Sequence, residues 1–273
     1  MGLAALFQAL RYVLYYCLIK SRPNSLIYIF GLPRNIQAGC PVFVCMSEAS
    51  AIQPGDSIAY VDLDLGVFDQ MLRAYVNEGV VDYPSFASDA RFADFVSDIG
   101  RVDKQTLETR QEKLSFYINA YNALVIKGII DGLSPASLLG RLRFFILQKY
   151  RIAGENLSLL AIERRRIIPL GEPRSHFAIN CASASCPALA SETYASDDLD
   201  QQLEQAAEKF VQQSTSEDGR AIKTSRIFKW YRSEFERNRG GLRGFLSRYS
   251  DEDLPEKISY DRYDWSLNGK PPD

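Results

Sequence analysis

One histidine and five cysteines occur in the 273-residue chain. The histidine and two of the cysteines fall in one stretch, RSHFAINCASASCPAL (174–189), as His176, Cys181 and Cys186. A thiol becomes a useful nucleophile when a neighbouring imidazole lowers its pKa and a third group orients the ring. Cys181 as nucleophile, His176 as base and Glu163 as orienting acid would make such a set, with Asp264 as an alternative acid. Cys-His-acid arrangements recur on unrelated folds, permuted papain-like ones with His before Cys among them. Ala182, Ser183, Ala184 and Ser185 are small, so backbone N–H groups there could approach an oxyanion, as could the Asn180 side chain.

Other readings of the same residues stand beside this one. As an extended strand, His176 and Cys181 would lie about 16 Å apart on opposite faces, so a sharp bend must bring them together. Without it, a buried thiol packs as a small hydrophobe. Cys181 and Cys186 could instead close a small disulfide loop. The spacing His176-x4-Cys181-x4-Cys186, with Glu163 as a fourth ligand, is looser than a structural zinc site wants. No metal and no other cofactor is therefore read into the chain. Asn119 and Asn122 lie i,i+3 on an apolar helix and must find buried partners. They either hold the Cys/His loop or, the reading preferred here, cap a neighbouring strand edge. ERRRI (163–167) suits a phosphate or carboxylate patch but reads more simply as a solvated helix face. No P-loop, Rossmann fingerprint or GxSxG elbow is present.

The elements that must position these residues read as mostly helical. LGVFDQMLRAYVNEGV spaces Phe68, Met71, Leu72, Tyr75 and Val76 as an amphipathic helix ending near Gly79. SFASDARFADFVSDIG repeats the pattern. Asp103 is the expected cap of the next helix, and KLSFYINAYNALVIKGIIDG (113–132) is a long apolar one stopped at Gly132. RFFILQKYRIAGENLSL (143–159) predicts two short strands around a turn at 153–156, and Ser158 caps a short helix after it. HFAIN predicts a buried strand, residues 196–213 a helix, and AIKTSRIFKWY and KISYDRYDWSL later strands around a helix near GLRGFLSRY. The fold class is α+β: a mostly helical single domain around a small, largely antiparallel sheet, with a permuted papain/transglutaminase-like arrangement as one form it could take.

Composition agrees with a packed domain. Apolar residues make up 46% and charged residues 24%, with 15 Tyr and 15 Phe. A net charge of −2 gives no reason to expect nucleic acid as partner. Residues 1–46 contain four of the 32 basic residues (Arg11, Lys20, Arg22 and Arg34) and none of the 34 acidic ones. Such an apolar, basic start before an acidic body reads as a targeting segment, with membrane association through residues 3–19. Arg11 in the middle of that stretch opposes a clean span, since a mid-bilayer Arg costs roughly 2.5–3.5 kcal/mol on insertion scales. IQAGC (36–40) and EASA (48–51) offer weak processing sites. Export or anchoring facing the periplasm is the expectation; a mis-called start would leave the protein cytoplasmic. The divisions are a leader (1–46), a linker (47–65), a domain (66–268) and a tail (269–273).

Five ordered blocks carry a resemblance: FYINAYNALVIKGI (116–129), IAGENLSLLAIE (152–163), HFAINCASASCPAL (176–189), IFKWY (227–231) and YDWSLN (263–268). Together they closely resemble the bacterial branch of the "domain of unknown function 547" family over residues 66–268. The resemblance implies a single-domain fold, often exported in bacteria and fused to coiled-coil regions in plants, with no settled activity. It favours Cys181 over Cys186 as the functional thiol. Where many relatives have Ile-Glu-His, this chain has Ile162-Glu163-Arg164, so a site needing that histidine would be absent. Two functions follow. One is a cysteine-dependent hydrolase or transferase acting on an amide, thioester or small thiol; the other is a non-catalytic module docking a peptide or protein partner.

Overall fold

A computed structural model describes residues 61–218, 221–237, 240–250 and 254–271. The leader, its processing sites, the segment 3–19 and most of the linker lie outside the described residues. Residues 60–273 form one compact unit. Among the described residues, no helix is long and apolar enough to cross a membrane.

The chain enters through α1 (Leu65–Tyr75), capped by the Asp64 carboxylate on the Gly66 and Val67 N–H groups. This helix stops at Tyr75, earlier than its apolar pattern suggested, because Asn77-Glu78-Gly79-Val80 makes a tight hairpin. Glu78 and Gly79 both take positive φ, the geometry that joins β1 (Val76–Asn77) to β2 (Val80–Asp82). Two more helices follow, α2 (Tyr83–Ser88) and α3 (Ala90–Ile99). The long helix α4 (Arg110–Ile130) begins at Thr109, whose hydroxyl accepts from the Glu112 N–H while Glu112 returns the bond, a capping box. Asp103, the expected cap, closes a local turn on the Gln105 N–H. Gly132, at φ +78°, ends the helix as the sequence anticipates.

Helix α4 is buried on nearly every side from Leu114 to Ile129, as a helix apolar all round must be. Around it lies the larger core, with Phe68, Phe86, Phe92, Phe95, Phe144, Ile152 and Leu159. Each such side chain withdrawn from water contributes roughly 1.5–3 kcal/mol. After α5 (Leu138–Leu142), residues Arg143–Leu147 widen into a π-helical turn where a strand was expected. The hairpin itself forms between β3 (Tyr150–Ile152) and β4 (Glu155–Leu157), closed by Ala153 and Gly154, both at positive φ. Ser158 caps α6 (Leu159–Ile162), which runs into a second π-helical turn at Glu163–Ile167. Here the solvated-face reading of ERRRI fails at its first residue. The widened turn tucks Glu163 inside, 6% exposed, while Arg166 pairs with Glu155.

The second core is built around a cluster of phenylalanines, with aliphatic residues such as Ile222, Leu242 and Leu246 about them. Phe177, Phe210, Phe228, Phe235 and Phe245 pack with centroids 4.9–6.3 Å apart. Its helices are α7 (Leu199–Ser214), α8 (Arg226–Trp230), α9 (Arg232–Phe235) and α10 (Gly241–Leu246). RIFKW is thus helical, because Ser225 caps it where a continuing strand was expected. Strands β5 (Ser216–Asp218), β6 (Ala221–Thr224) and β7 (Lys257–Tyr260) form a small sheet beside it.

The fold is α+β and mostly helical, as expected. The single, largely antiparallel sheet is replaced by three small ones, of three, two and three strands, and the pairs β6–β7 and β2–β8 (Gly269–Lys270) are parallel. Each strand is too short to carry a layer, so each sheet serves to fasten a loop. Gly269 shows this: a Cβ there would stand 2.0 Å from the Val81 carbonyl oxygen, so only glycine lets the chain close against β2. The closing strand β8 thus pairs with β2 through Lys270.

Candidate functional site

The segment carrying His176 and Cys181 is not a strand. Pro173–Phe177 winds as a 3₁₀ turn, started by Pro173 and by Glu172, whose carboxylate accepts from the Arg174 N–H. The Ser175 hydroxyl donates back to the Glu172 carbonyl. The winding passes the chain between the two cores. Phe177 enters the aromatic one, and Ala178, Ile179 and Ala182 enter the larger one.

Asn122, on α4, holds the loop that follows. Its Nδ2 donates to the Ala178 carbonyl at 2.9 Å, and its Oδ1 accepts from the Asn180 N–H at 2.9 Å. Asn119, one turn earlier, grips both backbone groups of Tyr194 at 2.8 and 3.0 Å. The expected strand-edge capping is absent from both, and Asn122 takes up the loop-holding role. Asn180 then turns the chain: its Oδ1 accepts from the Ala182 N–H at 2.7 Å, and its Nδ2 donates to the Pro187 carbonyl. Ala182 sits at φ +59°, a left-handed conformation that a non-glycine residue adopts at a cost of order 1–3 kcal/mol. This is the sharp bend the chemistry required, but it serves the sulfurs and not the imidazole.

His176 faces elsewhere. It is 2% exposed, its ring stacks on Tyr231 at 3.6 Å between centroids, and its Nε2 lies 2.8 Å from the Glu234 carboxylate. Its Nδ1 is buried without a hydrogen-bond partner. Neither ring nitrogen therefore bonds a sulfur, and the expected Cys181–His176–Glu163 triad does not form. Glu163 bonds the Tyr231 hydroxyl, and Glu234 holds the place given to it behind the ring. Asp264, the alternative acid, is exposed and accepts from the Ser266 N–H, so it caps a turn.

What Cys181 meets instead is a ring of donors. Its Sγ lies 3.0 Å from the Ser183 hydroxyl and 3.1 Å from the Tyr263 hydroxyl, which are 3.0 Å from each other. The Cys186 thiol stands beside it, its Sγ accepting from the Cys181 N–H and directed to the Ile179 carbonyl at 3.9 Å. Burial pushes the Cys181 thiol up, but hydrogen bonding from Cys186, Ser183 and Tyr263 outweighs burial and holds it below its ordinary value. Cys186 goes the other way. Burial and the adjacent Cys181 charge push its thiol well above that value, although its Sγ accepts from the Cys181 N–H at 2.9 Å. Burial and the same two sulfurs keep the Tyr263 hydroxyl protonated, so it stays a donor. Both cysteines are half-buried free thiols.

Tyr263 and Glu234 were not singled out from the sequence, and Ser183 was read for its backbone N–H and not for its hydroxyl. Tyr263 stood in the YDWSLN block beside the Asp264 that drew attention, whereas Glu234 carries no local signal. Tyr263 is fixed by Trp230 and Trp265, each 4.7 Å away between centroids, and Arg141 lies over the Trp265 ring at 4.5 Å. The stretch 263–267 is stitched to the cysteine loop: Ala184 N–H to the Ser266 carbonyl, Ser185 N–H to the Asp264 carbonyl, and a bridge between Ser183 and Leu267. A cleft of about 310 Å³ opens beside it, its lining including Ser185, Cys186, Gln213, Arg226, Arg262 and Tyr263.

The small residues after Cys181 do not leave an oxyanion hole. The N–H groups of Cys181, Ala182, Ala184, Ser185 and Cys186 go in order to Cys186 Sγ, Asn180 Oδ1 and the carbonyls of Ser266, Asp264 and Ser183. The Asn180 amide is equally committed. No group of three or more His, Cys, Asp or Glu side chains able to hold a metal ion comes together among the described residues, so the His176-Cys181-Cys186-Glu163 set does not converge.

With this geometry in view, comparison with known proteins gives one match. Residues 105–211 match the family described as "Protein of unknown function, DUF547". The match covers α4, the hairpin, both cysteines and most of α7. It meets the resemblance read from the sequence without distinguishing a bacterial branch, and it stops short of Glu234 and Tyr263. No curated protein and no solved structure matches the chain.

Proposed function

We propose that the protein is a cysteine-dependent transferase in which Cys181, as thiolate, attacks a sulfur centre of a small thiol-derived substrate. The observation that carries this reading is the convergence of the Ser183 and Tyr263 hydroxyls on one sulfur, with the Cys186 thiol beside it. Among the substrates open to a thiolate, amides fit least. An amide needs a general acid for its amine and N–H donors for the tetrahedral oxyanion. His176 is committed to Glu234, and the N–H groups of Cys181, Ala182, Ala184, Ser185 and Cys186 are in use. Sulfur-to-sulfur exchange needs neither, because the leaving group is itself a thiolate and charge stays on sulfur. The cleft beside Cys186 and Tyr263 gives such a substrate an approach, with Arg226 and Arg262 at its walls.

The test is alkylation by iodoacetamide across pH, read on the tryptic peptide 175–209, which contains Cys181 and Cys186 and no other cysteine. Cys181 should label with a midpoint well below the ordinary thiol value of about 8.5, and Cys186 should lag far behind. A Cys181 that labels only at an ordinary thiol midpoint, or not at all in the folded protein, leaves the docking-module reading in place of this one.

A further inference from the structure

We infer that Cys186 is the resolving thiol of Cys181, so that the pair passes between a dithiol and an internal disulfide and the protein reduces disulfide substrates by two electrons. The inference rests on the nucleophile reading above and adds the partner sulfur and the substrate class.

Three features of the loop carry it. The chain between the cysteines doubles back: Ala182 is held at positive φ by the Asn180 carboxamide, and residues 183–186 form a turn closed by the Cys186 N–H on the Ser183 carbonyl. The doubling folds the Cys186 side chain over the Cys181 backbone, with Sγ 2.9 Å from the Cys181 nitrogen. The elements around this loop hold it from both sides. Asn122 fixes its start at residues 178 and 180, and the Asp264–Leu267 stretch fixes its later half. Cys186, finally, lines the wall of the cleft while Cys181 lies behind it, hydrogen-bonded to Tyr263. A substrate sulfur that enters the cleft and bonds Cys181 therefore arrives beside the second thiol.

The chemistry balances without any group beyond the disulfide. The Cys181 thiolate attacks one sulfur of R–S–S–R; the Cys181–S–S–R bond forms, the R–S–S–R bond breaks, and one thiolate RS⁻ departs. Cys181 no longer carries charge, so the charge that had held the proton on Cys186 is gone. That proton passes to the departed thiolate. The Cys186 thiolate then attacks the Cys181 sulfur, forms the internal disulfide and releases the second RS⁻, which takes a proton from water. Two thiols of the protein have been oxidised and one substrate disulfide reduced. A small thiol reductant returns the protein disulfide to the dithiol by the reverse exchanges. The asymmetry of the pair is thus sequential: the second thiol is held protonated until the first has reacted.

The experiment uses the full chain and 4,4′-dithiodipyridine as the disulfide probe, with products read on peptide 175–209. The wild-type peptide should emerge without a pyridylthio group and with Cys181 joined to Cys186. In Cys186→Ser, the pyridylthio group should remain on Cys181, and Cys186→Ala repeats the measurement should the serine variant not fold. A wild-type peptide with the group stably on Cys181 and a free Cys186 overturns the inference while leaving the nucleophile intact. A Cys181 left unmodified in every form overturns both.

Discussion

At the scale of single residues, the site is a thiol made acidic by hydroxyls and a neighbouring thiol instead of by an imidazole. Tyr263 is the sharpest test, because its ring packs between Trp230 and Trp265 whether or not it has a hydroxyl. A hydrogen bond to a charged group contributes about 1.5–3 kcal/mol, and one pKa unit corresponds to 1.36 kcal/mol. Tyr263→Phe should therefore raise the midpoint of Cys181 alkylation by about one pH unit or more, with the melting temperature little changed. The sign follows from removing a donor that stabilises only the ionised form. An unmoved midpoint would assign the acidity to Ser183 and Cys186 alone. The sequence made the cysteines legible, since two of five share a stretch with the lone histidine. It could not make Tyr263 legible, because that residue reaches the site across 82 positions and its neighbour Asp264 is the more conspicuous acid.

At the scale of elements, the legible parts were those with a strong local signal. The α4 apolar run, the Ala153-Gly154 turn, the Ser158 cap and the amphipathic helix after residue 196 all form where periodicity and turn chemistry place them. Misreadings fall where a capping or turn-forming residue redirects the chain. Thr109 with Glu112 outranks Asp103 as a cap, Ser225 converts a strand into α8, and Pro173 winds the HFAIN segment instead of extending it. In each case the deciding group lay at the edge of an apolar run whose interior looked like something else. The central helix also carries a prediction of this scale. Asn122 satisfies two backbone groups of the cysteine loop from a fully buried position, so Asn122→Ala leaves both without partners. Each such loss costs about 1–3 kcal/mol. Denaturant unfolding of Asn122→Ala should show a loss of roughly 2–5 kcal/mol, together with a Cys181 alkylation midpoint moved toward that of a free thiol. Retained stability would mean that the loop is held from its other side alone.

At the scale of the whole molecule, two cores meet at one short segment. His176 is the joint: its ring lies on Tyr231 of the aromatic core's helical stretch, and its backbone is continuous with the turn that Asn122 holds. The sequence-based role for it was general base, and the coordinates give it a structural one. His176→Ala removes a fully buried ring and its bond to Glu234, and should lower stability by roughly 2–4 kcal/mol in chemical denaturation. In the folded fraction of this variant, the pH dependence of Cys181 alkylation should stay where it is in the wild type. A midpoint shifted up would restore the imidazole to the chemistry. The overall α+β class was open to the sequence because helices and turns are local. The division of the strands into three separate sheets was not, since parallel pairings such as β2 with β8 join residues nearly 190 positions apart.

That long closure has a further consequence. Tyr263 reaches Cys181 only once the residues from 263 to 270 have docked along the cysteine loop and Gly269 has seated against Val81. During synthesis Cys181 and Cys186 emerge from the ribosome some eighty residues ahead of the Tyr263 hydroxyl that Cys181 meets in the folded chain. Under the proposed function, Cys181 and Cys186 of a nascent chain are not yet set apart from one another, and the site is complete only when the 263–270 segment has docked.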